Sequence, residues 1–231
     1  SELPTWQSYD YIASISSDVT VSFLSKFPTL KNKIVDIENI LSRQFIDEQA
    51  KEFIPKEYHS SSINICSIGR FCTQKAFDRA VWICKELVDL NITLKWYIIG
   101  YGGDEALIRQ EIVKANMQAH FIILGKKTNP YPYMKFCDFY MQPSRYEGKA
   151  VTVREAQILQ KLTIITDYPT SSSQLTDKVD GMIVPQDIKE AANDIAKFLN
   201  NKQSQNTILA NLETSDYGNE SEIQKVYDLI N

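Results

Sequence analysis

The chain has 231 residues, of which 43% are hydrophobic and 23% charged, an ordinary composition for a globular protein large enough to bury a core. Its 29 acidic residues outnumber 25 lysines and arginines, and a net charge of −4 gives no support for a nucleic-acid partner, which needs clustered positive charge. No apolar run approaches the ~20 residues that cross a bilayer, and four cysteines without metal-ligand spacing fit reduced thiols packed in a cytosolic protein.

The first 58 residues are predicted to form one β-α-β unit followed by a linker. Strands at residues 11–15 and 33–37 flank a helix at residues 17–27, and a polar stretch that contains a proline follows. A single unit of this kind buries too little apolar surface to fold unaided. We therefore interpret residues 1–58 as the end of a second domain whose earlier part is missing from this chain.

From residue 59 to residue 201 the pattern alternates between strand and helix. Short apolar runs predict strands at residues 63–68, 94–99, 120–124, 139–142, 162–166 and 181–184. Helices are predicted at residues 75–90, 105–116, 133–136, 151–160 and 188–200. This alternation predicts a doubly wound, mostly parallel α/β sheet with helices on both faces, and ligands across its carboxyl edge. Residues 202–231 are predicted to be a polar tail that ends in a helix at residues 221–230.

The most informative motif lies where the strand at residues 139–142 meets the helix at residues 151–160. It reads SRYEGKAVTVREAQ from Ser144, and seven residues separate its two glutamates, Glu147 and Glu155. At such a junction free backbone N–H groups and the helix dipole favour phosphate. Small or flexible residues let the backbone approach an anion: Gly148, Lys149 and Ala150. A carboxylate further into the helix accepts hydrogen bonds from sugar hydroxyls. The alternative without a function, two solvated carboxylates near a helix start, is less favoured because Gly148, Lys149 and Ala150 lie between the glutamates.

Two other turns after predicted strands carry positive charge. Gly69 and Arg70 end the first strand of the larger domain, and Lys75 follows soon after. A guanidinium fork and a lysine point charge together suit a diphosphate, although an isolated arginine is more often a plain surface charge. Gly125 and Lys126 end the third strand and could line a base or ribose pocket, or equally form an exposed turn.

The sequence lacks the complete motifs for several other kinds of binding and catalysis. Residues 100–103 read GYGG and resemble a dinucleotide-binding turn, but Glu105 stands where the third glycine would be, so a tight strand-to-helix turn is favoured. The sequence has no Asp-x-Asp pair to hold a divalent ion and no P-loop. Its two histidines, His59 and His120, fall in a linker and at a strand start, so no Ser-His-Asp set is credible.

Six stretches, in order along the chain, carry a resemblance to a known family. They read IGR and KAFDR from residues 68 and 75, IIGYG from 98, FIILG from 121, PSRYEG and EA from 143 and 155, TIITD from 163, and DGMIVP from 180. The chain resembles the family 4 retaining glycosyltransferases of the GT-B fold, specifically their carboxyl-terminal, nucleotide-sugar-binding domain, over about residues 14–185. The string SRYEGKAVTVREAQIL looks like the version found in bacterial capsule and lipopolysaccharide sugar transferases.

The resemblance implies a role for each candidate residue. Arg70 and Lys75, with Gly69 beside them, would hold the donor diphosphate and stabilise the negative charge of the departing nucleotide. Glu147 would contact hydroxyls of the transferred sugar, and Glu155 would hydrogen-bond the ribose hydroxyls. The backbone of Lys149, Ala150 and Val151 would bind the distal phosphate, with Gly148 as a further donor contact, and Gly125 and Lys126 would border the base.

The resemblance also implies partners and a setting. The donor is expected to be a UDP-sugar, and neither a metal nor a cofactor is expected, in keeping with the missing Asp-x-Asp pair. The other expected partners are a saccharide or lipid-linked acceptor and the missing amino-terminal, acceptor-side domain of the same enzyme. The implied fold is the Rossmann-like half of a GT-B fold, preceded by a partial β-α-β unit from the other domain.

The implied function is the donor-binding portion of an enzyme that transfers a sugar with retention, in surface polysaccharide synthesis. The expected location is the cytoplasm, or peripherally the inner face of the membrane through the missing half. Gly148-Lys-Ala replaces the frequent Gly-Phe-Gly of the family, which bears on the phosphate contacts. We expect this chain to bind donor but to turn over little or nothing alone.

Two alternatives stay open. A non-catalytic nucleotide-binding or scaffolding module would keep the GT-B fold without its chemistry. A flavodoxin-like or dinucleotide-binding enzyme would share the parallel sheet, but the incomplete glycine motif argues against it.

Overall fold

Residues 2–230 are described by the structure, a computed structural model; residues 1 and 231, the outer ends of the predicted first and last segments, lie outside that part. The described chain divides into two compact units. The smaller one comprises residues up to Ser42 together with residues from Gly218 onward, and the larger one is Arg43–Tyr217.

The smaller unit is built around two short parallel strands, β1 (Ile12–Ser14) and β2 (Ile34–Asp36). Its helices are α1 (Leu3–Gln7), α2 (Ser17–Lys26) and α11 (Glu222–Ile230). Helix α2 connects the two strands, which gives the β-α-β order that the sequence predicts at residues 11–37. No side chain of α2 or α11 is buried in the described structure, so this unit has little core of its own.

The larger unit contains a sheet of six parallel strands. They are β3 (Ile63–Ile68), β4 (Leu94–Ile99), β5 (Phe121–Gly125), β6 (Phe139–Gln142), β7 (Leu162–Thr166) and β8 (Met182–Val184). Their order across the sheet is β5-β4-β3-β6-β7-β8, so the chain leaves the centre to one side and then to the other. The prediction of a doubly wound parallel α/β sheet is confirmed.

The helices of the larger unit follow the predicted alternation, with some changes at their ends. They are α3 (Arg43–Gln49), α4 (Phe77–Asp89), α5 (Glu105–Lys114), α6 (Tyr131–Phe136), α7 (Val151–Ile158), α8 (Ser171–Gln174), α9 (Ile188–Leu199) and α10 (Lys202–Thr214). Helix α4 begins at Phe77 rather than at residue 75, because Ala76 takes a left-handed conformation with φ of 55°. Helix α6 begins two residues earlier than predicted and has Pro132 in its first turn. Proline is tolerated there because N–H groups of the first turn make no hydrogen bond within the helix.

Helices α3 and α10 are among the helices that the sequence does not predict, and both bury apolar side chains. Helix α10 replaces the first part of the predicted polar tail and buries Ile208 and Leu212 beneath an otherwise polar surface. Helix α3 precedes the linker and buries Ile46. Both helices belong to the larger unit, so the observed boundaries fall after residues 42 and 217 and not after residues 58 and 201.

A short chain of buried hydrogen bonds crosses the centre of the sheet. Trp96 Nε1 on β4 donates to Ser67 Oγ on β3 at 2.9 Å, and that hydroxyl donates to the Met141 carbonyl on β6 at 2.5 Å. All three side chains are fully buried. Because both buried donors have acceptors, the polar atoms tie three adjacent strands together without leaving an unsatisfied group.

Two glycines of the GYGG turn allow the loop after β4 to touch the loop after β3. At Gly100, where φ is +150°, an added Cβ would lie 1.9 Å from the Gly69 carbonyl oxygen. At Gly102 an added Cβ would lie 2.3 Å from the Phe71 carbonyl oxygen. Neither position has room for a side chain, which agrees with the tight turn that the sequence favours.

Replacing Gly102 with alanine should lower the free energy of unfolding by about 1–3 kcal/mol, because the new methyl group would overlap the Phe71 carbonyl. Gly103→Ala is the matched control, since its added Cβ would meet no atom within 4 Å, and its effect should stay within about 0.5 kcal/mol. Urea unfolding of both variants beside the wild type measures the difference. Equal stability of the two variants would show that the turn does not depend on this close packing.

Candidate functional site

The strand order places an opening between β3 and β6. These strands are neighbours, but the chain continues from β3 to β4 on one side and from β6 to β7 on the other. The loop after β3 (residues 69–76) and the loop after β6 (residues 143–150) therefore diverge at the carboxyl edge, where open α/β sheets bind ligands. We call the space between these two loops the switch-point crevice.

A buried ion pair joins the two loops across the switch-point crevice. Lys75 Nζ lies 2.6 Å from Glu147 Oε1, and the two side chains are 15% and 5% exposed. Glu147 also accepts hydrogen bonds from Ser144 Oγ at 2.6 Å and from Gln74 Nε2 at 2.9 Å. Donors on both carboxylate oxygens fix the position of Glu147 and bring two of the predicted site residues into direct contact.

A second tie between the loops was not foreseen from the sequence. Arg145 donates a bidentate pair of hydrogen bonds to Asp78, at 2.9 and 2.6 Å, and a third to the Thr73 carbonyl at 2.7 Å. The hydrogen bonds that Arg145 donates to Asp78 raise the pKa of Arg145 above its ordinary value. Because Asp78 is in the first turn of α4, this fork fastens the loop after β6 to the helix that follows β3.

The amino-terminal end of α7 keeps free backbone donors. Ala150 donates its N–H to Gln174 Oε1 at 2.6 Å, whereas the N–H groups of Val151 and Thr152 have no acceptor among the described residues. The first turn holds no acidic side chain that would compete with an anion. An anion would therefore meet the N–H groups of Val151 and Thr152, one position beyond the predicted contacts at residues 149–151.

Glu155 lies in the second turn of α7, and its carboxylate accepts a hydrogen bond from Tyr131 Oη at 2.9 Å. Burial raises the pKa of Glu155, and the bond from Tyr131 partly offsets that rise. Burial and the adjacent carboxylate also raise the pKa of Tyr131, so its hydroxyl stays a donor. Tyr131 therefore donates to the carboxylate that the family resemblance assigns to the ribose hydroxyls.

A cavity of about 180 Å³ opens at the carboxyl ends of β3, β4 and β5. Arg70 and Lys126 line it, and Arg70 makes no hydrogen bond or ion pair with any described residue. Lys126 Nζ lies 5.1 Å from the ring centroid of Tyr101, whose side chain is 57% exposed. The remaining lining residues are Ile68, Gly69, Ile99, Gly100, Lys127 and Pro130. Unpaired positive charge beside an open aromatic ring suits a ligand that is both aromatic and anionic.

Two links connect the ion pair and Glu155 to the cavity. The aliphatic part of Lys75 would lie 3.2 Å from a Cβ at Gly69, which connects the ion pair to the cavity. Tyr131, the partner of Glu155, directly follows the cavity residue Pro130. Gly125 does not line the cavity. Its φ of +70° is a left-handed conformation that favours glycine, which accounts for this residue without a ligand contact.

The described residues contain no group of three or more histidine, cysteine, aspartate or glutamate side chains placed to hold a metal ion. That the site works without a metal or a cofactor stays a prediction from the family resemblance.

Residues 48–213 match the family described as "Glycosyl transferases group 1". An uncharacterized glycosyltransferase of Methanocaldococcus jannaschii is 27% identical over 166 residues, 68% of this chain and 41% of that protein. The poly(ribitol-phosphate) alpha-N-acetylglucosaminyltransferase of Staphylococcus aureus is 24% identical over 169 residues, 72% of this chain and 34% of that protein.

A solved structure shares the fold. A variant of TarM from S. aureus, in complex with fondaparinux, alpha-GlcNAc-glycerol and UDP, matches with a TM-score of 0.81 at 19% identity. The match covers 99% of this chain and 45% of that one. The chain thus spans less than half the length of each of these relatives.

Glu147→Gln should lower the free energy of unfolding by about 3 kcal/mol, because it leaves the buried Lys75 ammonium without its counter-charge. Adding Lys75→Met should restore part of the loss, since the double variant buries no unpaired charge. A double-mutant cycle by urea unfolding gives the coupling, which we expect to exceed about 1 kcal/mol. Additive effects of the two changes would mean that the contact does not hold the loops together.

Glu155 should give stability a defined pH dependence. Because burial raises its pKa in the folded state, the folded protein binds this proton more tightly than the unfolded chain does. Stability therefore falls as pH rises from the ordinary value of 4.5 through the raised folded pKa. The free energy of unfolding of Glu155→Gln, relative to wild type, should thus increase as the pH rises above the ordinary value of 4.5. Chemical unfolding at a series of pH values measures this difference.

The same measurement in a Tyr131→Phe background provides the check. The change removes the hydrogen bond that lowers the pKa of Glu155, so the pH-dependent difference should become larger. A difference that stays constant with pH in both backgrounds would contradict the desolvated state of Glu155.

Proposed function

The chain belongs to the glycosyl transferases group 1 family, and on that basis we propose that it is the nucleotide-sugar-binding portion of a sugar transferase. The observation that carries the proposal is the meeting of two loops at the switch-point crevice, where Lys75 pairs with Glu147 beside the unpaired Arg70. A cationic side chain meets a buried carboxylate there, and the free N–H groups at the start of α7 follow the same loop after β6. A nucleoside diphosphate sugar offers the matching diphosphate and hydroxyl groups.

In the proposed mode, Arg70 and Lys75 hold the diphosphate and the start of α7 holds its distal phosphate. Transfer breaks the bond between the anomeric carbon and the distal phosphate oxygen, which keeps the electron pair. The acceptor oxygen bonds to the same carbon with retention and gives its proton to the leaving diphosphate. Cations that are positioned before the reaction stabilise the negative charge that develops on this leaving group. Glu147 holds Lys75 in place and accepts hydrogen bonds from hydroxyls of the sugar.

The nucleoside is proposed to lie along the cavity at the ends of β3, β4 and β5. Its base would stack near Tyr101 and Lys126, and its ribose would reach Glu155 by replacing or sharing the bond from Tyr131. Lysine and arginine donors suit the carbonyl oxygens of uracil, and the TarM variant was solved with UDP. We therefore propose a UDP-sugar as the donor.

The acceptor is proposed to be a saccharide or a lipid-linked saccharide of a surface polysaccharide. The S. aureus relative, named as a poly(ribitol-phosphate) alpha-N-acetylglucosaminyltransferase, supports an acceptor of this class. Because the chain spans less than half of its relatives, the rest of the enzyme is proposed to supply the acceptor side and any attachment to the inner face of the membrane. None of the described helices is both long enough and apolar enough to cross a bilayer.

Isothermal titration calorimetry of the chain with a panel of nucleotide sugars should detect binding of at least one UDP-sugar. Arg70→Ala and Glu155→Ala should each weaken that binding by roughly tenfold or more, because one removes the unpaired cation and the other removes the ribose acceptor. Sugar transfer by the chain alone should be slight.

Two variants away from the crevice serve as matched controls. Arg109→Ala and Glu105→Ala break an exposed ion pair on α5, with a 2.7 Å contact, and should leave donor binding unchanged. Failure to bind any donor would favour a non-catalytic scaffolding module, and affinity for NAD or flavin would favour a dinucleotide-binding enzyme. Robust transfer by this chain alone would refute the proposed need for the rest of the enzyme.

A further inference from the structure

Two buried hydrogen-bonding atoms near the switch-point crevice have no partner. Tyr168 Oη and Gln174 Nε2 are buried without an acceptor among residues 2–230, and both belong to the segment that runs from β7 through α8. Native structures rarely leave such groups unpaired, and an unpaired one points to a ligand or a bound water. The proposed function, as stated above, assigns neither residue a role.

Gln174 is the last residue of α8, and its side chain reaches the amino-terminal end of α7. Its Oε1 accepts the N–H of Ala150 at 2.6 Å, and because that partner is a donor, the amide orientation is fixed. The unpaired Nε2, roughly 2.2 Å from Oε1 within the planar amide, therefore sits at the same helix end. The side chain is 4% exposed, so Nε2 has been withdrawn from solvent beside the free N–H groups of Val151 and Thr152.

Tyr168 reaches the crevice from the same segment. Thr170 donates its hydroxyl to the Glu147 carbonyl at 2.8 Å, which fastens the segment to the loop after β6. Tyr168 is 1% exposed, and burial together with the nearby Glu147 carboxylate raises the pKa of its hydroxyl. The hydroxyl therefore stays protonated and is a donor without an acceptor.

We propose that Gln174 Nε2 and Tyr168 Oη donate hydrogen bonds to the distal phosphate of the nucleoside diphosphate, beside the backbone N–H groups at the start of α7. This inference rests on the proposed function and adds two side chains from the β7–α8 segment to its phosphate site. Gln174 then has two tasks, since one end of its amide caps the helix and the other end binds the ligand. The segment after β7 thus becomes a third wall of the switch-point crevice.

The test compares UDP with UMP, which lacks the distal phosphate. Tyr168→Phe should weaken UDP binding by roughly tenfold, the usual effect of losing a hydrogen bond to a charged group, and leave UMP binding unchanged. The ligand-free variant should be as stable as wild type or more stable, because the hydroxyl it loses has no partner.

Gln174→Glu is the second variant. It keeps the oxygen that accepts from Ala150 but replaces the Nε2 donor by a carboxylate oxygen that repels phosphate. UDP binding should fall by more than it does in Tyr168→Phe, again without a matching loss for UMP. Thermal unfolding of both variants without ligand establishes that they are folded.

Tyr217→Phe is the matched control, because its hydroxyl has a partner, Asp180 at 3.2 Å, outside the crevice. It should leave the affinity for both nucleotides unchanged. Wild-type UDP binding that neither variant weakens, or a loss that is equal for UDP and UMP, would overturn the inference while the proposed function stands. A wild-type chain that binds neither UDP nor any nucleotide sugar would overturn both.

Discussion

An ion pair buried between two diverging loops is the constraint on which the candidate site depends. The sheet fixes β3 beside β6, but it does not fix the distance between the loops that leave their carboxyl ends. The 2.6 Å contact between Lys75 and Glu147 sets that distance, and the fork from Arg145 to Asp78 supports it nearby. Buried pairs add little net stability, since desolvation offsets their attraction, so we infer that this one selects a single arrangement of the loops.

A polar network beside the crevice fixes the position of the Glu147 carboxylate. Gln142 accepts hydrogen bonds from Tyr140 and Thr152 and donates to Ser144, whose hydroxyl in turn donates to Glu147. Each of these side chains has a hydrogen-bond partner within the network, and such a fully bonded network is rigid. By contrast, Arg70 and the N–H groups of Val151 and Thr152 have no acceptor within the described part of the chain. Groups arranged in this way before a ligand arrives need no reorganisation when charge develops, which is the condition for electrostatic stabilisation.

Local sequence patterns were sufficient for the fold and for part of the site. The strands β3, β4, β6 and β7 have their predicted bounds, because each is a short apolar run closed by glycine, proline or polar residues. The meeting of Lys75 and Glu147 also follows from topology, since both residues come after adjacent parallel strands. No local sequence pattern predicts that Tyr131 bonds to Glu155 or that Gln174 bonds to Ala150. Each reaches its contact on α7 across 24 residues of chain, and only the folded structure brings the two segments together.

The misplaced start of α4 shows why local rules fail at the site itself. Apolar spacing predicts a helix from residue 75, which would make Lys75 part of α4. Instead Ala76, with φ of 55°, takes a left-handed conformation that costs an L-residue about 1–2 kcal/mol and separates Lys75 from the helix. Lys75 and Gln74 then both donate to Glu147 from a short 3-10 turn. Apolar spacing reports the buried face of a helix and carries no information about a strained residue before it. The hydrogen bonds between Lys75, Gln74 and Glu147 offset this strain. Conflicts of this kind between local conformational preference and tertiary contacts are expected at ligand sites.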